Sequence, residues 1–401
     1  MNILQLTNKM PYPAKDGGAI ATLNLSKGFI NAGAKLTILT MNTAKHFFDE
    51  KDLPTELTDK ITFETVYVEA SINAKDALKN LFFSKLPYNA VRFIDNNYKN
   101  KLINILKSEE FDIVQLEGIY LAPYIDTIKK YSTAKISLRA HNIEYEIWKR
   151  VSANETNPIK KKYLKVLSNR IKKFEQSYIN KYDLLIPITD RDLNIFNKMG
   201  NNKPAKTSMT GIDTSDLIAD TNNIEFPSVF HIGALDWAPN QEGLNWFFNN
   251  VWQNLSKKQP NLKLYIAGRN APDTLIETIK KQPNTIYLGE VNDAYKFMNS
   301  KAVMIVPLHS GSGMRIKIIE GMALNKTIVS TEIGSEGIPT ENGKNILIAN
   351  SSQEFSGAIE KAILNRDLFD KIGHNASKFI KENYDNNNIS LELLDFYKKH
   401  I

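Results

Sequence analysis

Cysteine is absent from this chain, which excludes disulfides, thiolate metal sites and cysteine nucleophiles. No apolar run approaches the ~20 residues that span a bilayer as a helix. The first residues, MNILQLT, enter a strand-like segment with no basic leader, so a cytoplasmic location is expected. Residues 221–401 lack net charge, with 19 Lys+Arg against 19 Asp+Glu, and the whole excess of +7 lies in residues 1–220. No nucleic-acid motif accompanies that excess, and nucleic acid is not an expected partner. No metal-binding Asp-x-Asp motif is recognised, and no metal is expected.

What is present is the composition of a soluble globular protein, 42% apolar and 24% charged. At 401 residues it is long enough for two domains. Short β-branched runs alternate with helically spaced stretches. NILQLT, KLTILT, ITFETVYV, DIVQLE, AKISLRA and DLLIPIT form a first series; SVFHIG, LKLYIAG, TIYLG, AVMIVPL, TIVST and NILIA form a second. Such alternation implies parallel sheets covered by helices, hence an α/β protein of two doubly wound, Rossmann-like domains. The join is expected in the Gly-, Asn- and Pro-rich stretch 197–227, giving domains of 1–205 and 206–384. The amphipathic tail, about 385–401, either ends the second domain or packs back on the first.

Ligands of doubly wound sheets bind beyond the carboxyl ends of the strands, beside helix N-termini. The most chemically loaded strand end is PLHSGSGMRIKIIEGMAL, residues 307–324. Gly311 and Gly313 precede a helix start, where glycine lets backbone N–H groups approach an anion. Arg315 and Lys317 add positive charge. The segment is neither a Walker loop nor a GxGxxG fingerprint. Glu320, further along the helix, suits a different partner, because a carboxylate can accept from both hydroxyls of a ribose. Loop and glutamate together suggest a nucleoside diphosphate.

This segment resembles the donor-binding segment of the retaining glycosyltransferases of family 4. FHIGALDWAPNQEGLNWF resembles that family's first donor-domain strand and helix, RAHNIEYEIW its central N-domain loop, and PYPAKDGGAIATLNLSKGFINAGAKLTILT its opening glycine loop and helix. The resemblance implies the GT-B fold, two Rossmann-like domains facing across a cleft, with an acceptor-binding first domain and a donor-binding second. It implies donor contacts from Gly233, Arg269, Gly311, Ser312, Gly313, Met314 and Glu320, and catalytic roles for Arg315, Lys317 and His141. Gly17, Gly18, Asn142 and Glu144 would form a phosphate or acceptor loop in the first domain.

Two departures stand out. Ser312 occupies the place where the family often has a first glutamate. The arginine and lysine that often follow the first donor-domain strand would fall near Ala234 and Asn240, neither of them basic, leaving Arg315, Lys317 and Arg269 to supply the charge. From residues alone, His141 also fits a structural strand-end histidine, Gly17 and Gly18 a plain turn, Asp16 a helix cap, and Asn142 and Glu144 a cap of the following helix. Residues 75–93 read first as a core helix followed by a turn, and otherwise as a basic, aromatic lip for a lipid-linked acceptor. The lysine-rich helix after Pro158 reads as a solvated face, or as a docking face for anionic lipid or a phosphorylated acceptor.

The expected function is retaining transfer of a hexosyl-type sugar, from a UDP- or GDP-sugar and without a cofactor, to a glycan, lipid-linked or other acceptor in cell-envelope polysaccharide synthesis. The enzyme would be cytoplasmic, with room for a peripheral contact at the inner membrane face. A nucleotide-sugar 2-epimerase and a non-catalytic nucleotide-sugar-binding subunit are the competing readings.

Overall fold

Each of the twelve apolar runs contains a strand, and all pair in parallel within two six-stranded sheets. The computed structural model describes residues 1–14, 16–214, 217–311 and 315–401. Contacts divide the chain into one unit of residues 1–211 with 386–401 and another of residues 212–385.

In the first unit the strands are β1 Asn2–Thr7, β2 Lys35–Thr43, β3 Ile61–Val68, β4 Ile113–Glu117, β5 Lys135–Ala140 and β6 Leu184–Pro187. They lie in the order β3-β2-β1-β4-β5-β6. Winding reverses between β1 and β4, so the loops leaving those two strands diverge and open a crevice at their carboxyl ends. Side chains alternate between the sheet's faces. Leu4, Leu6, Val114, Leu116 and Leu138 enter one buried cluster, and Ile3, Ile38, Ile113, Leu184 and Ile186 another. Residues of the second parity include a buried polar set, Gln5, Gln115, Ser137, Glu117 and Arg139. Register places Gln5 beside Gln115 and Gln115 beside Ser137, with Thr7, Glu117 and Arg139 forming the next row.

The C-terminal helix, Asn386–Lys398, belongs to this unit. It packs on the helix Gly17–Asn31, where Asn386 Nδ2 donates to the Asn24 carbonyl at 2.5 Å. Gly28 permits the approach, since a Cβ there would lie 1.9 Å from Ser390 Oγ. Leu393, Leu394 and Tyr397 enter the Ile3–Ile113 cluster.

The second unit holds β7 Glu225–Ile232, β8 Lys263–Ala267, β9 Thr285–Gly289, β10 Lys301–Val306, β11 Thr327–Ser330 and β12 Leu347–Ile348. Their order is β12-β11-β10-β7-β8-β9, and winding reverses between β7 and β10. The loops after β7 and β10 therefore diverge, and they carry Gly233 and Gly311.

One expectation fails. Residues 75–93 were expected to begin with a core helix, yet the helix Ala74–Phe83 has no buried residue, and Phe82 and Phe83 are 72% and 89% exposed. Its amphipathic spacing is real, but Leu78, Phe82 and Phe83 on its apolar side stay exposed among the described residues. Arg170, on the helix Pro158–Tyr178, instead ties down its C-terminal end by donating to the carbonyls of Asn80 and Leu81 at 3.1 and 2.6 Å.

Candidate active site

In the second unit, the loop and helix after β10 meet the loop and helix after β7. Lys317, in the first turn of the helix Ile316–Ala323, crosses to that side. Its Nζ donates to the Ile232 carbonyl at 3.2 Å and to Asn240 Oδ1 at 3.1 Å. Asn240 is fixed in turn, with Nδ2 donating to the Ala234 carbonyl at 2.8 Å. Lys317 thus brings an ammonium from the neighbouring helix to Asn240. Burial, then the nearby Arg315 guanidinium, brings the Lys317 pKa down to about 7. A Cβ on Gly233 would lie 3.1 Å from this ammonium, so glycine keeps the space open.

Arg315 is 6% exposed and lies over the Trp237 ring, 5.1 Å from its centroid. Burial lowers its pKa. Gly311 has φ 107°, and a Cβ there would meet the Arg315 guanidinium at 2.9 Å and the indole at 3.0 Å. Only glycine suits both the backbone and the space. Glu320, in the second turn of the helix, accepts from Tyr295 O–H at 3.0 Å through Oε1, and burial raises its pKa. Ser312, Gly313 and Met314 lie outside the described residues. Arg269 is exposed beyond β8, where its carbonyl accepts from the Leu235 N–H at 2.9 Å, so it joins the site's loops through its backbone.

Two other strand-end histidines make contacts within the second unit. His309 lies edge-on against Trp246, and His231 is fully buried with Nδ1–H donating to the Ile305 carbonyl at 3.1 Å. Burial, then the Lys317 charge, holds the His231 pKa well below the usual histidine range.

In the first unit, a pocket of about 230 Å³ opens where β1 and β4 diverge, bringing together Gly18, His141, Asn142 and Glu144. Gly17 begins the adjoining helix and has open space where a Cβ would stand. Asp16 caps that helix, accepting from the Ala19 N–H at 2.9 Å, and pairs with Lys9 at 2.5 Å. The helix after His141, Glu144–Asn154, is not capped by Asn142 or Glu144. Glu175, from the neighbouring long helix, accepts the Glu144 and Tyr145 N–H groups at 2.9 and 3.0 Å. That leaves the Glu144 carboxyl to accept from Tyr120 O–H at 2.9 Å, with its pKa raised by burial.

Sequence reasoning missed Glu117, the last residue of β4 and the hub of this pocket. His141 Nε2 lies 2.7 Å from its Oε2. Oε2 also receives Thr22 O–H at 3.1 Å and faces Arg139 at 3.5 Å. Oε1 receives the amides of Gln5, at 2.7 Å, and Gln115. Burial alone would raise this carboxyl's pKa, but Arg139, His141 and Gln5 outweigh it and hold it at about 2. A signal existed: Gln, Glu, Ser and Arg interrupt central parallel strands that are otherwise apolar on both faces. Asp190-Arg191-Asp192, the chain's one Asp-x-Asp triplet, belongs to helix chemistry. It opens the helix Asp190–Lys198, with Arg191 paired to Asp192 at 2.9 Å and the Asp192 N–H donating to Thr189 at 3.1 Å.

Two doubly wound parallel sheets, with loaded loops at the strand-order reversals, match the GT-B fold of the solved structures named below. Residues 226–365 match the family described as glycosyl transferases group 1. Over 96% of its length it is 26% identical to an uncharacterised 44.6 kDa protein of the cps region of Klebsiella pneumoniae, covering 97% of that relative. It is 24% identical over 203 residues to the capsular polysaccharide biosynthesis glycosyltransferase CapM of Staphylococcus aureus, spanning 47% of this chain and 53% of CapM. Among solved structures it resembles HepE of Anabaena in complex with UDP, with a TM-score of 0.69 at 14% identity and full coverage of both chains. It also resembles sucrose-phosphate synthase of Thermosynechococcus elongatus, with a TM-score of 0.70 at 13% identity, covering 100% of this chain and 99% of that one.

Proposed function

We propose that the protein transfers a hexosyl-type sugar, with retention of configuration, from a nucleoside-diphosphate donor bound in the second unit to a glycan or lipid-linked acceptor of cell-envelope polysaccharide synthesis. The observation that carries this reading is the seating of Lys317 against Asn240, beside Arg315, at the point where β7 and β10 diverge. As the glycosidic bond breaks, negative charge grows on the β-phosphate. Lys317 and Arg315 are placed to meet it without a divalent metal, and the departing phosphate takes the acceptor's proton. UDP is the favoured nucleotide because HepE, similar over its full length, was solved with UDP and with UDP-glucose. The cps-region relative and CapM support capsular polysaccharide as the product class. In the first unit, the pocket around His141 takes a sugar, with the imidazole on one of its hydroxyls.

Glu320 tests the nucleotide half of this reading. Glu320→Gln replaces a charged acceptor of ribose hydroxyls by a neutral one and is expected to weaken nucleotide binding by about tenfold or more. Isothermal titration with the free nucleoside diphosphate measures it; equal affinities would remove Glu320 from the ribose.

A bilayer contact completes the proposal. No helix among the described residues is long and apolar enough to cross a membrane. Leu78, Phe82 and Phe83 stand exposed on the helix Ala74–Phe83 beside exposed Lys75, Lys79 and Lys85. The adjoining helix adds exposed Lys160, Lys161, Lys162, Lys165, Lys172 and Lys173. Aromatic side chains flanked by lysines suit an anionic lipid surface. The protein is expected to sediment with vesicles containing phosphatidylglycerol but not with phosphatidylcholine alone, and the double variant Phe82→Ser/Phe83→Ser to lose that binding. Equal sedimentation with both vesicle types would contradict it.

A further inference from the structure

Hydrogen-bond directions around Glu117 carry information about His141 that neither ring atom reveals alone. Five donor groups converge on one buried carboxyl: the Gln5 and Gln115 amides on Oε1, and Thr22, Arg139 and His141 on Oε2. The Gln115 amide turns its NH2 to Glu117, since an ionised carboxylate only accepts, and its Oε1 is then left to accept from Tyr397 O–H at 2.6 Å. Tyr397 O–H is itself 2.8 Å from Ser137 Oγ. Once the tyrosine proton goes to Gln115, Ser137 must donate to Tyr397. Donation therefore runs one way, from Ser137 through Tyr397 and Gln115 into the carboxylate. An ionised carboxylate only accepts, so the histidine must donate to it as well.

We infer that Glu117 is the positioning residue of His141: it holds the ring as the Nε2–H tautomer, making Nδ1 the lone-pair atom available to a sugar hydroxyl. No described residue bonds Nδ1, and the ring lines the pocket with its side chain 16% exposed. In that tautomer a hydroxyl can donate a hydrogen bond to Nδ1. The opposite tautomer would put an N–H there and leave Nε2 and the carboxylate as two facing acceptors. The C-terminal helix takes part through Tyr397, so a segment remote in sequence sets the chemistry of the pocket. This assignment of Nδ1 to a sugar rests on the transferase reading of the pocket; the tautomer itself does not.

Long-range ¹H–¹⁵N spectra of the full protein labelled at histidine test the tautomer directly. The signal of His141 is identified by its loss in His141→Gln. The neutral ring is expected to show a protonated Nε2 and a bare Nδ1. In Glu117→Gln, where the neutral amide can accept or donate, a mixture of tautomers is expected, with sugar transfer reduced about tenfold or more. Wild-type protein with a protonated Nδ1 would overturn the inference whether or not any variant folds. The predicted tautomer together with unchanged transfer by folded Glu117→Gln would overturn Glu117's positioning role. Unchanged transfer by His141→Gln would instead refute the sugar-contacting role of the histidine.

Discussion

Lys317→Ala is expected to lower sugar transfer by about two to three orders of magnitude while leaving the fold intact. That is the usual cost of removing one preorganised group from a site of developing negative charge. The fold should survive because Lys317 contributes two hydrogen bonds to one carbonyl and one amide, and both can turn to water in the cavity left behind. The same residue predicts a pH dependence. With a pKa of about 7 in the unliganded protein, Lys317 is charged below that pH and loses its charge above it. Diphosphate prefers the charged form, so donor affinity should be full below pH 7. It should then fall by up to about tenfold per pH unit above pH 7, until the pKa of the complex is reached. Binding at pH 7 to 8 should take up a proton. Calorimetric titration in two buffers of different ionisation enthalpy measures that uptake, and affinity independent of pH would exclude a titrating Lys317 from the site.

Ending the chain at Asp385 is expected to unfold the first unit and spare the second. Leu393, Leu394 and Tyr397 are buried, and each large apolar side chain contributes about 1.5–3 kcal/mol. The Tyr397 ring also packs 6.4 Å from Phe29. Its loss strands Gln115 Oε1 and Ser137 Oγ inside the sheet, at about 1–3 kcal/mol for each unsatisfied group. Together these losses rival the about 5–15 kcal/mol that holds a typical domain folded. The second unit keeps its closing contacts, including Ile212 N–H to the Tyr384 carbonyl at 2.9 Å and Thr214 O–H to Asp385 at 2.5 Å. Scanning calorimetry of the full and shortened chains should show one unfolding transition lost and one retained. Two unchanged transitions would mean that the terminal helix is dispensable to the first unit.

The strands were legible because parallel strands covered on both faces read as short apolar runs, and KLTILT or AVMIVP can hardly be anything else. The loaded loops were legible too, since an apolar run ending in glycine and basic residues announces a strand end. What escaped depends on register and long-range packing. Glu117 looked like the unremarkable end of DIVQLE until pairing set it between Thr7 and Arg139 and beneath His141. Asn240 showed only as the absence of a lysine; nothing local says that Lys317, 77 residues on, would reach it. Likewise the cap of the helix after His141 comes from Glu175, about 30 residues away. The helix Ala74–Phe83 has the spacing of a core helix, and spacing alone cannot say whether a second surface comes to cover it.

Thermal shift of wild type and Lys317→Ala against UDP-, GDP-, ADP- and TDP-sugars tests the donor site most directly. A seated nucleoside diphosphate should raise the melting temperature of the wild type for one base, UDP in the proposed reading, and that rise should shrink or vanish in Lys317→Ala. No shift with any nucleotide sugar, or an equal shift in both proteins, would contradict a donor site built on Lys317.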